Sequence, residues 1–393
     1  MSACSAERAV APGLFTLEDE GSGQWRTVST GAEHSCALDA RGRAWCWGSN
    51  ASFQLGVDLT PSKCGTAPEV DCSLIPAAVM TGRAFTAISA GGAHTCAITT
   101  DSVPFCWGSN REGQLGVFGA STPVARLPGT VPMISISAGS THTCGIRADD
   151  LLVCWGSNQF GAVGAGAGHS VPPTIVGGNQ RFASVQASNQ RTCARTMTGR
   201  VLCWGVAWSH SSGDTNFVSI RSTLTLVPGL GSMAAVGVGP SSTCSLDATG
   251  FAWCWESNLN GESGTGPGPG SQKPRRIGTD VQLSALTVGG AHACAIAVDG
   301  PALCWGSNRH GQVGALTDEF CGVSRSACAT HPVAVAGRQR FISLSAGLGN
   351  HVCGISERFN LYCWGAGTFG QRGDSSRTSR SRVPRLAVFV HPR

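Results

Sequence analysis

Seven pairs of cysteines recur along the chain, and the two members of each pair are always ten residues apart. A tryptophan follows the second cysteine of every pair, and successive tryptophans are separated by 60, 48, 49, 51, 50 and 59 residues. A period of this length indicates a chain of repeats that bury their apolar faces against one another. We number the repeats 1 to 7 by their pairs: Cys36 with Cys46, Cys96 with Cys106, Cys144 with Cys154, Cys193 with Cys203, Cys244 with Cys254, Cys294 with Cys304, and Cys353 with Cys363.

Each repeat has the pattern of short β-strands. In repeat 1 the segment HSCALDARGRAWCWG places two apolar runs around a polar turn that contains Gly42, which is a hairpin signal. Strand-like segments before and after the hairpin bring the total to about four strands per repeat. The prediction is an all-β, seven-bladed β-propeller of about four strands per blade. The alternative is a stacked solenoid, which would need polar capping repeats.

The cysteine spacing predicts a disulfide within each of the seven pairs. Opposed residues of an antiparallel hairpin have a constant index sum, so pairing Cys36 with Cys46 centres the turn at Arg41, inside the polar segment. The two sulfur atoms then face each other within bonding reach. Reduced, buried cysteines are the alternative, because a free thiol packs as a small hydrophobe. The two longest repeats contain insertions with cysteine pairs of their own, which we expect to close the inserted loops: Cys64 with Cys72, and Cys321 with Cys328.

Nine disulfides would place the protein in an oxidising, extracytoplasmic compartment, as a secreted protein or a surface lipoprotein. The remaining cysteine, Cys4, follows small residues in MSAC, which resembles the end of a bacterial lipoprotein signal. We expect lipidation of Cys4 if an apolar segment precedes it in the gene, and a stray cysteine in a disordered leader otherwise. The expected organisation is a leader at 1–13, one propeller at 14–390 and a tail at 391–393. One of the terminal segments, 14–18 or 385–390, should complete the blade begun at the other end.

Composition excludes several classes of protein. The net charge of +5 arises from the segment 371–393, which has six arginines and one aspartate, so the rest of the chain is neutral and lacks the basic footprint of a nucleic-acid binder. No apolar run is long enough to span a membrane. We find no catalytic motif and expect neither an enzyme nor a cofactor. We expect a monomer.

Five histidines precede the first cysteine of their pair by two residues: His34, His94, His142, His292 and His351. His-x-Cys and a facing Cys supply three zinc-type ligands, but a structural zinc site needs four and no regular fourth ligand exists. His34 lies opposite Gly48, whereas in repeat 5 the histidine is replaced by Ser242 and the glycine by Glu256. This exchange of large and small residues predicts that the histidines are buried, hydrogen-bonded spacers rather than metal ligands.

The segments CWGSNREGQLG and GGAHTCAI, repeated with a period near 50, resemble the repeats of the regulator of chromosome condensation family. The resemblance covers about residues 24–390; it is clear in repeats 1, 2, 3 and 6, looser in 5 and 7, and poor in 4, which reads CWGVAWSHSSGD. It implies a seven-bladed propeller. The family's functions include nucleotide exchange on the small GTPase Ran, inhibition of β-lactamases by a bacterial propeller, and many binding roles. A shared fold does not choose among these functions.

The expected function is an extracytoplasmic scaffold that recognises a protein or glycan partner through loops at the rim. The alternatives are an enzyme inhibitor of the β-lactamase-inhibitor kind and a guanine-nucleotide exchange factor. The two insertions follow repeats 1 and 6, on either side of repeat 7, and closed loops lose less entropy on binding. The candidate partner-binding residues lie in these insertions and in the irregular repeat 4: Lys63, Glu69, Asp318, Glu319, Phe320, Arg325 and Trp208.

Overall fold

The repeated unit of the structure is a disulfide-bridged hairpin. In repeat 1, β2 (His34–Asp39) pairs antiparallel with β3 (Ala44–Ser49), and Cys36 lies directly opposite Cys46 with their Cα atoms 4.1 Å apart. The Asp39 carboxylate closes the turn by accepting the backbone N–H groups of Arg41 and Arg43, and Gly42 adopts the positive φ of 77° that the turn requires. The same hairpin recurs in all seven repeats.

Every repeat hairpin carries the disulfide that the ten-residue spacing predicts. The alternative of reduced, buried cysteines is therefore not the arrangement in the structure. In all seven bridges the two Cα atoms are 4.1 Å apart, as in repeat 1. The other six bridges join Cys96 with Cys106, Cys144 with Cys154, Cys193 with Cys203, Cys244 with Cys254, Cys294 with Cys304, and Cys353 with Cys363.

The computed structural model describes residues 24–57, 62–65, 68–117, 119, 122–127, 132–165, 168–210 and 216–389. The expected leader at 1–13, with Cys4, the segment 14–18 and the tail at 391–393 therefore lie outside the described residues. All regular secondary structure in the described residues is β-strand. These residues include no helix that could cross a lipid bilayer.

The strands form six hydrogen-bonded sheets. The first contains β1 (Trp25–Thr30), β2, β3, β4 (Ser62–Cys64) and β5 (Val70–Ala78) in the order β1-β2-β3-β5-β4. The second contains β6 (Phe85–Ala90), β7 (His94–Thr99), β8 (Pro104–Gly108) and β9 (Thr122–Arg126). The third contains β10 (Met133–Ala138), β11 (His142–Arg147), β12 (Leu151–Ser157), β13 (Ser170–Ala187), β14 (Arg191–Thr196), β15 (Val201–His210) and β16 (Asn216–Leu226).

The remaining three sheets belong to repeats 5, 6 and 7. The fourth contains β17 (Met233–Val238), β18 (Ser242–Asp247), β19 (Ala252–Glu256) and β20 (Ser271–Arg276). The fifth contains β21 (Leu283–Val288), β22 (His292–Ala297), β23 (Ala302–Ser307), β24 (Glu319–Cys321) and β25 (Ser326–Ala334) in the order β21-β22-β23-β25-β24. The sixth contains β26 (Phe341–Ala346), β27 (His351–Ser356), β28 (Leu361–Ala366) and β29 (Arg380–Leu386).

The prediction of an all-β propeller is confirmed, but the prediction of seven separate four-stranded blades is wrong. Five separate blades have four or five strands, and the remaining sheet has seven strands that span repeats 3 and 4. The cause is β13, an unbroken 18-residue strand whose first part pairs with β12 and whose last part pairs with β14. The fifth strand of two blades comes from the insertions, because β4 and β24 add to the outer edge of their sheets.

The first and last repeats meet through packing and a loop contact, and not through a shared strand. The inner strand β1 lies against β26 and β27, and the Trp25 backbone N–H donates to Phe359 O at 3.0 Å. Phe389 packs edge-on against Trp25 and Trp45, with ring centroids 5.6 and 4.7 Å apart. Because β29 pairs with β28 of its own repeat, the C-terminal segment does not complete the blade at the other end of the chain; the alternative, that 14–18 does so, lies outside the described residues.

The core lies between neighbouring sheets, where each repeat tryptophan is buried. In six repeats its indole Nε1 donates to a backbone carbonyl in the loop of the preceding repeat; in repeat 2, for example, Trp107 donates to Gln54 O at 3.0 Å. The other five donate over 2.8 to 3.1 Å: Trp47, Trp155, Trp204, Trp305 and Trp364. Each of these repeats is thus completed by its neighbour, and repeat 1 is completed by repeat 7, which closes the ring.

Candidate functional site

The five repeat histidines are all fully buried. In four of them Nε2 lies 2.8 to 2.9 Å from a hydroxyl oxygen of the next repeat: His34 from Thr95, His94 from Thr143, His142 from Thr192, and His351 from Ser35. The Thr95 hydroxyl also donates to Gln54 O at 2.9 Å, and since a hydroxyl has one hydrogen, it must accept from Nε2–H of His34. The neutral tautomer is therefore fixed by contacts between repeats.

Burial keeps these histidines uncharged. It lowers the pKa of His34, His94 and His351 to about 3, and the pKa of His142 and His292 to about 4. Neither ring nitrogen of His292 has a partner in the described part of the chain, because Val352 stands where the partners of the other four histidines have a hydroxyl. The neighbouring cysteines are joined in disulfides, so their sulfurs are not available as thiolate ligands.

Repeats 4 and 5 each have an unusual residue in this part of the fold, and the two residues contact each other. Arg191 occupies the histidine position of repeat 4, and Glu256 occupies the position that glycine holds in the other six repeats, with a φ of 79°. The two side chains form a buried ion pair, and Thr243 Oγ1 donates to the same carboxylate at 3.1 Å. Burial raises the pKa of Glu256, and the charge of Arg191 opposes that shift. Glu256 lies opposite Ser242, as the sequence predicts. Its ion-pair partner, Arg191, belongs to the preceding repeat and not to its own hairpin.

The axis of the ring holds a cavity of about 260 Å³ between the inner strands. Hydroxyls on its wall bridge neighbouring strands; for example, Ser29 Oγ accepts the N–H of Ala90, and Ser89 Oγ accepts the N–H of Ala138, both at 2.9 Å. The residues that line this cavity include no ionisable side chain. Acid–base chemistry at the axis therefore has no group to carry it among these residues.

The two insertions form short hairpins at equivalent positions, which we call the first rim hairpin (β4 and β5) and the second rim hairpin (β24 and β25). Cys72 pairs with Ser49, and Cys328 pairs with Ser307, so both hairpins project from the same end of their sheets. A disulfide closes each of them, from Cys64 to Cys72 and from Cys321 to Cys328. The strand orders of the two sheets are equivalent, which places both hairpins at the outer edge of the ring.

The charged candidates of the first rim hairpin are largely engaged within it. Lys63 forms an exposed ion pair with Asp71 at 2.7 Å, and Glu69 is exposed beside β5. The backbone N–H of Gly65 donates to Thr368 O of repeat 7 at 3.2 Å. This hairpin therefore leans onto the preceding repeat around the ring.

The second rim hairpin lies close to the repeat 5 loop, because a Cβ added at Gly322 would lie 3.4 Å from Leu259 O. Glu319 accepts the backbone N–H of Thr330 at 2.6 Å and so stabilises the hairpin itself. Arg325 closes the tip by donating its N–H to Gly322 O at 3.1 Å. Two further candidates are exposed to solvent: Asp318 at the base of the hairpin, and Phe320, of which 64% is exposed.

Exposed apolar side chains lie on the second rim hairpin and in the nearby repeat 5 loop. Val323 at the hairpin tip is fully exposed and Leu259 of the adjoining loop is 49% exposed. Together with Phe320 they form what we call the rim patch. Sequence reasoning found Phe320 but missed Leu259 and Val323, because the contact between the second rim hairpin and repeat 5 joins segments more than 60 residues apart. Trp208 lies in β15 opposite Val218, and its side chain is outside the described residues.

Comparison with known proteins identifies the same repeats. Two family models, each described as the regulator of chromosome condensation (RCC1) repeat, match the sequence, one at 25–54, 85–114, 133–162 and 283–312 and the other at 41–98 and 105–146. The first model matches repeats 1, 2, 3 and 6, where the resemblance is clear in the sequence. The human probable E3 ubiquitin-protein ligase HERC4 is 39% identical over 90 residues, which are 23% of this chain and 8% of the ligase.

Two further relatives extend the match. Protein pim1 of Schizosaccharomyces pombe is 28% identical over 188 residues, 48% of this chain and 28% of pim1. HERC4 and pim1 are thus each matched over less than a third of their own length. The crystal structure of Prp20p from Saccharomyces cerevisiae superposes with a TM-score of 0.74 at 17% identity, covering 93% of this chain and 88% of Prp20p. The matched models show that the chain contains regulator of chromosome condensation (RCC1) repeats, and the superposition on Prp20p shows that the two chains share a fold.

Proposed function

We propose that the protein is an extracytoplasmic scaffold that binds a protein partner at the rim patch. The observation that carries the proposal is the exposure of three apolar side chains on and beside a disulfide-closed hairpin. Large apolar side chains at adjoining positions on a soluble protein are typical of interaction sites. Leu259 is about half exposed, Phe320 is mostly exposed and Val323 is fully exposed.

Rigidity supports the same proposal. The disulfide between Cys321 and Cys328 and the bond from Thr330 to Glu319 hold Phe320 in place before any partner arrives. A pre-organised surface loses less conformational entropy on binding than a flexible loop does. The apolar character of the patch favours a protein partner over a glycan, which would need several hydrogen-bonding side chains beside an aromatic ring.

The disulfides support the proposed compartment. Fourteen of the paired cysteines lie in the repeat hairpins, where they are buried. Each of the seven repeats has one such disulfide. Disulfides at this density form and persist in oxidising compartments. They argue against nucleotide exchange on a cytosolic or nuclear GTPase. The crystal structure of Prp20p concerns its binding to Gsp1p and histones, so a propeller of this fold can serve protein recognition.

The test is crosslinking from the rim patch in the cells that make the protein. A photo-reactive phenylalanine analogue in place of Phe320 should form one discrete protein adduct, identified by mass spectrometry. The same analogue at Met197, which is 58% exposed in the turn between β14 and β15 at the opposite end of the strands, is the control and should form none. Equal adducts from both positions, or none from Phe320, would contradict the proposal.

Once the partner is purified, variants test the energetics. Phe320→Ser with Val323→Ser should weaken binding by about thirtyfold or more, as expected for the loss of central anchors. The matched variant Met197→Ser should leave the affinity unchanged. Unfolding curves of both variants should coincide with that of the parent, because these side chains are exposed in the free protein.

A further inference from the structure

A second pocket lies between repeats 4 and 5, away from the axis and beside the Arg191–Glu256 pair. Its volume is about 250 Å³, and its apolar walls include Trp204 and Trp255. Four ionisable side chains line it: Arg191, Arg221, Glu256 and Lys273. A small apolar pocket with a few convergent polar groups is the usual form of a ligand site. We call it the repeat 4–5 pocket.

The charges of this pocket do not balance. Arg191, Arg221 and Lys273 are cations, whereas Glu256 is the single carboxylate among the lining residues. That carboxylate is already engaged by Arg191 and by Thr243. The lining residues therefore carry an excess of positive charge, which favours an anionic occupant.

A buried N–H donor at the pocket also lacks an acceptor. Nε of Arg191 is buried and has no hydrogen-bond partner in the described residues. A buried donor without an acceptor is costly, and an occupant with acceptor oxygens would satisfy it. The indole of Trp255 lines the same pocket, so its N–H signal can report on an occupant.

The backbone at this pocket is also unusual for its sequence. Glu256 has a φ of 79° at a position where glycine avoids the strain in the other repeats. Residues other than glycine held in this region concentrate at ligand and active sites. Arg191 and Glu256 are thus two matched departures from the repeat, and both face the same pocket.

We propose that the repeat 4–5 pocket binds a carboxylate group, with Arg221, Lys273 and Nε of Arg191 as its donors. A carboxylate is planar, accepts several hydrogen bonds and is small enough for the pocket. It can come from a free small carboxylic acid or from an acidic side chain of a protein. The pocket is distinct from the rim patch, and the proposal does not depend on the function proposed above.

The test follows the indole N–H of Trp255 by NMR in protein labelled with ¹⁵N-tryptophan. The chain has 11 tryptophans, and Trp255→Phe assigns the signal of interest. Sodium acetate and N-acetylglutamate amide are titrated at constant ionic strength against sodium chloride. We expect a saturable shift of the Trp255 signal with at least one of the carboxylates, and no saturable shift with chloride or with the neutral N-acetylglutamine amide.

Variants locate the site. Arg221→Gln and Lys273→Gln should each weaken carboxylate binding by about tenfold, as expected for the loss of a charge-assisted hydrogen bond. Arg275→Gln is the matched control, because Arg275 lies exposed in the same strand, β20, and does not line the pocket. A response to acetate alone would identify a free acid as the source, and a response to N-acetylglutamate amide would identify an acidic side chain. The absence of a response to both, or an equal response to the neutral amide, would overturn the proposal.

Discussion

Lowering the pH from about 7.5 to about 5 is expected to reduce the free energy of unfolding by on the order of 10 kcal/mol. The five buried histidines stay neutral in the folded state down to a pKa of about 3 or 4, whereas in the unfolded chain they bind protons below a pKa of about 6.5. The unfolded state therefore binds more protons between these values, so stability is lost as the pH falls. Each histidine contributes about 2 kcal/mol at pH 5, and the raised pKa of Glu256 offsets a part.

The measurement is denaturant unfolding of the disulfide-intact protein across this pH range. His94→Gln should reduce the proton uptake on unfolding by one, because its imidazole no longer titrates. A stability that is flat between pH 6.5 and pH 4.5 would show that these histidines are not kept neutral by burial.

Glu256→Gly is expected to destabilise the protein by about 3 to 5 kcal/mol, although it restores the residue found at this position in the other six repeats. The substitution relieves the positive φ of 79° but leaves the Arg191 guanidinium buried without its partner. Breaking a buried ion pair by removing one member carries a cost of about this size. The measurement is the shift in the midpoint of denaturant unfolding at neutral pH.

The double variant Arg191→His with Glu256→Gly should recover most of the lost stability. It recreates the pair found in repeats 1, 2 and 3, and a histidine at position 191 could donate to Thr243 as His94 does to Thr143. The coupling between the two positions would then exceed about 2 kcal/mol in a double-mutant cycle, in the range for residues in direct contact. Additive effects would contradict the assignment of the Arg191–Glu256 pair.

The register of the fold could be predicted from the sequence because it depends on local information. The ten-residue spacing sets Cys36 opposite Cys46, and the same register places His34 opposite Gly48. The division into sheets could not be predicted: Gly177 and Gly178 resemble a turn signal and do adopt positive φ, yet they form a register shift inside one long strand, β13. Continuity of a strand depends on the hydrogen bonds that its neighbours offer, which no local pattern reports.

The candidate sites, like the fold, could be predicted from the sequence only in part. The paired cysteines of the insertions predict closed hairpins at one end of the ring. The approach of the second rim hairpin to Leu259 depends on packing between repeats. Glu256 was noted in the sequence as a departure from glycine, whereas Arg191, at the histidine position of repeat 4, was missed. Their pairing joins residues 65 positions apart, which only the arrangement of repeats 4 and 5 brings together.

The most direct test of the bridged hairpins and of the oxidising compartment is a non-reducing peptide map of the protein taken from the cells that make it. We expect nine linked peptide pairs, seven with a separation of ten residues and two from the rim hairpins, at separations of eight and seven. Free thiols at the repeat cysteines, or links between different repeats, would contradict both the hairpin register and the extracytoplasmic location.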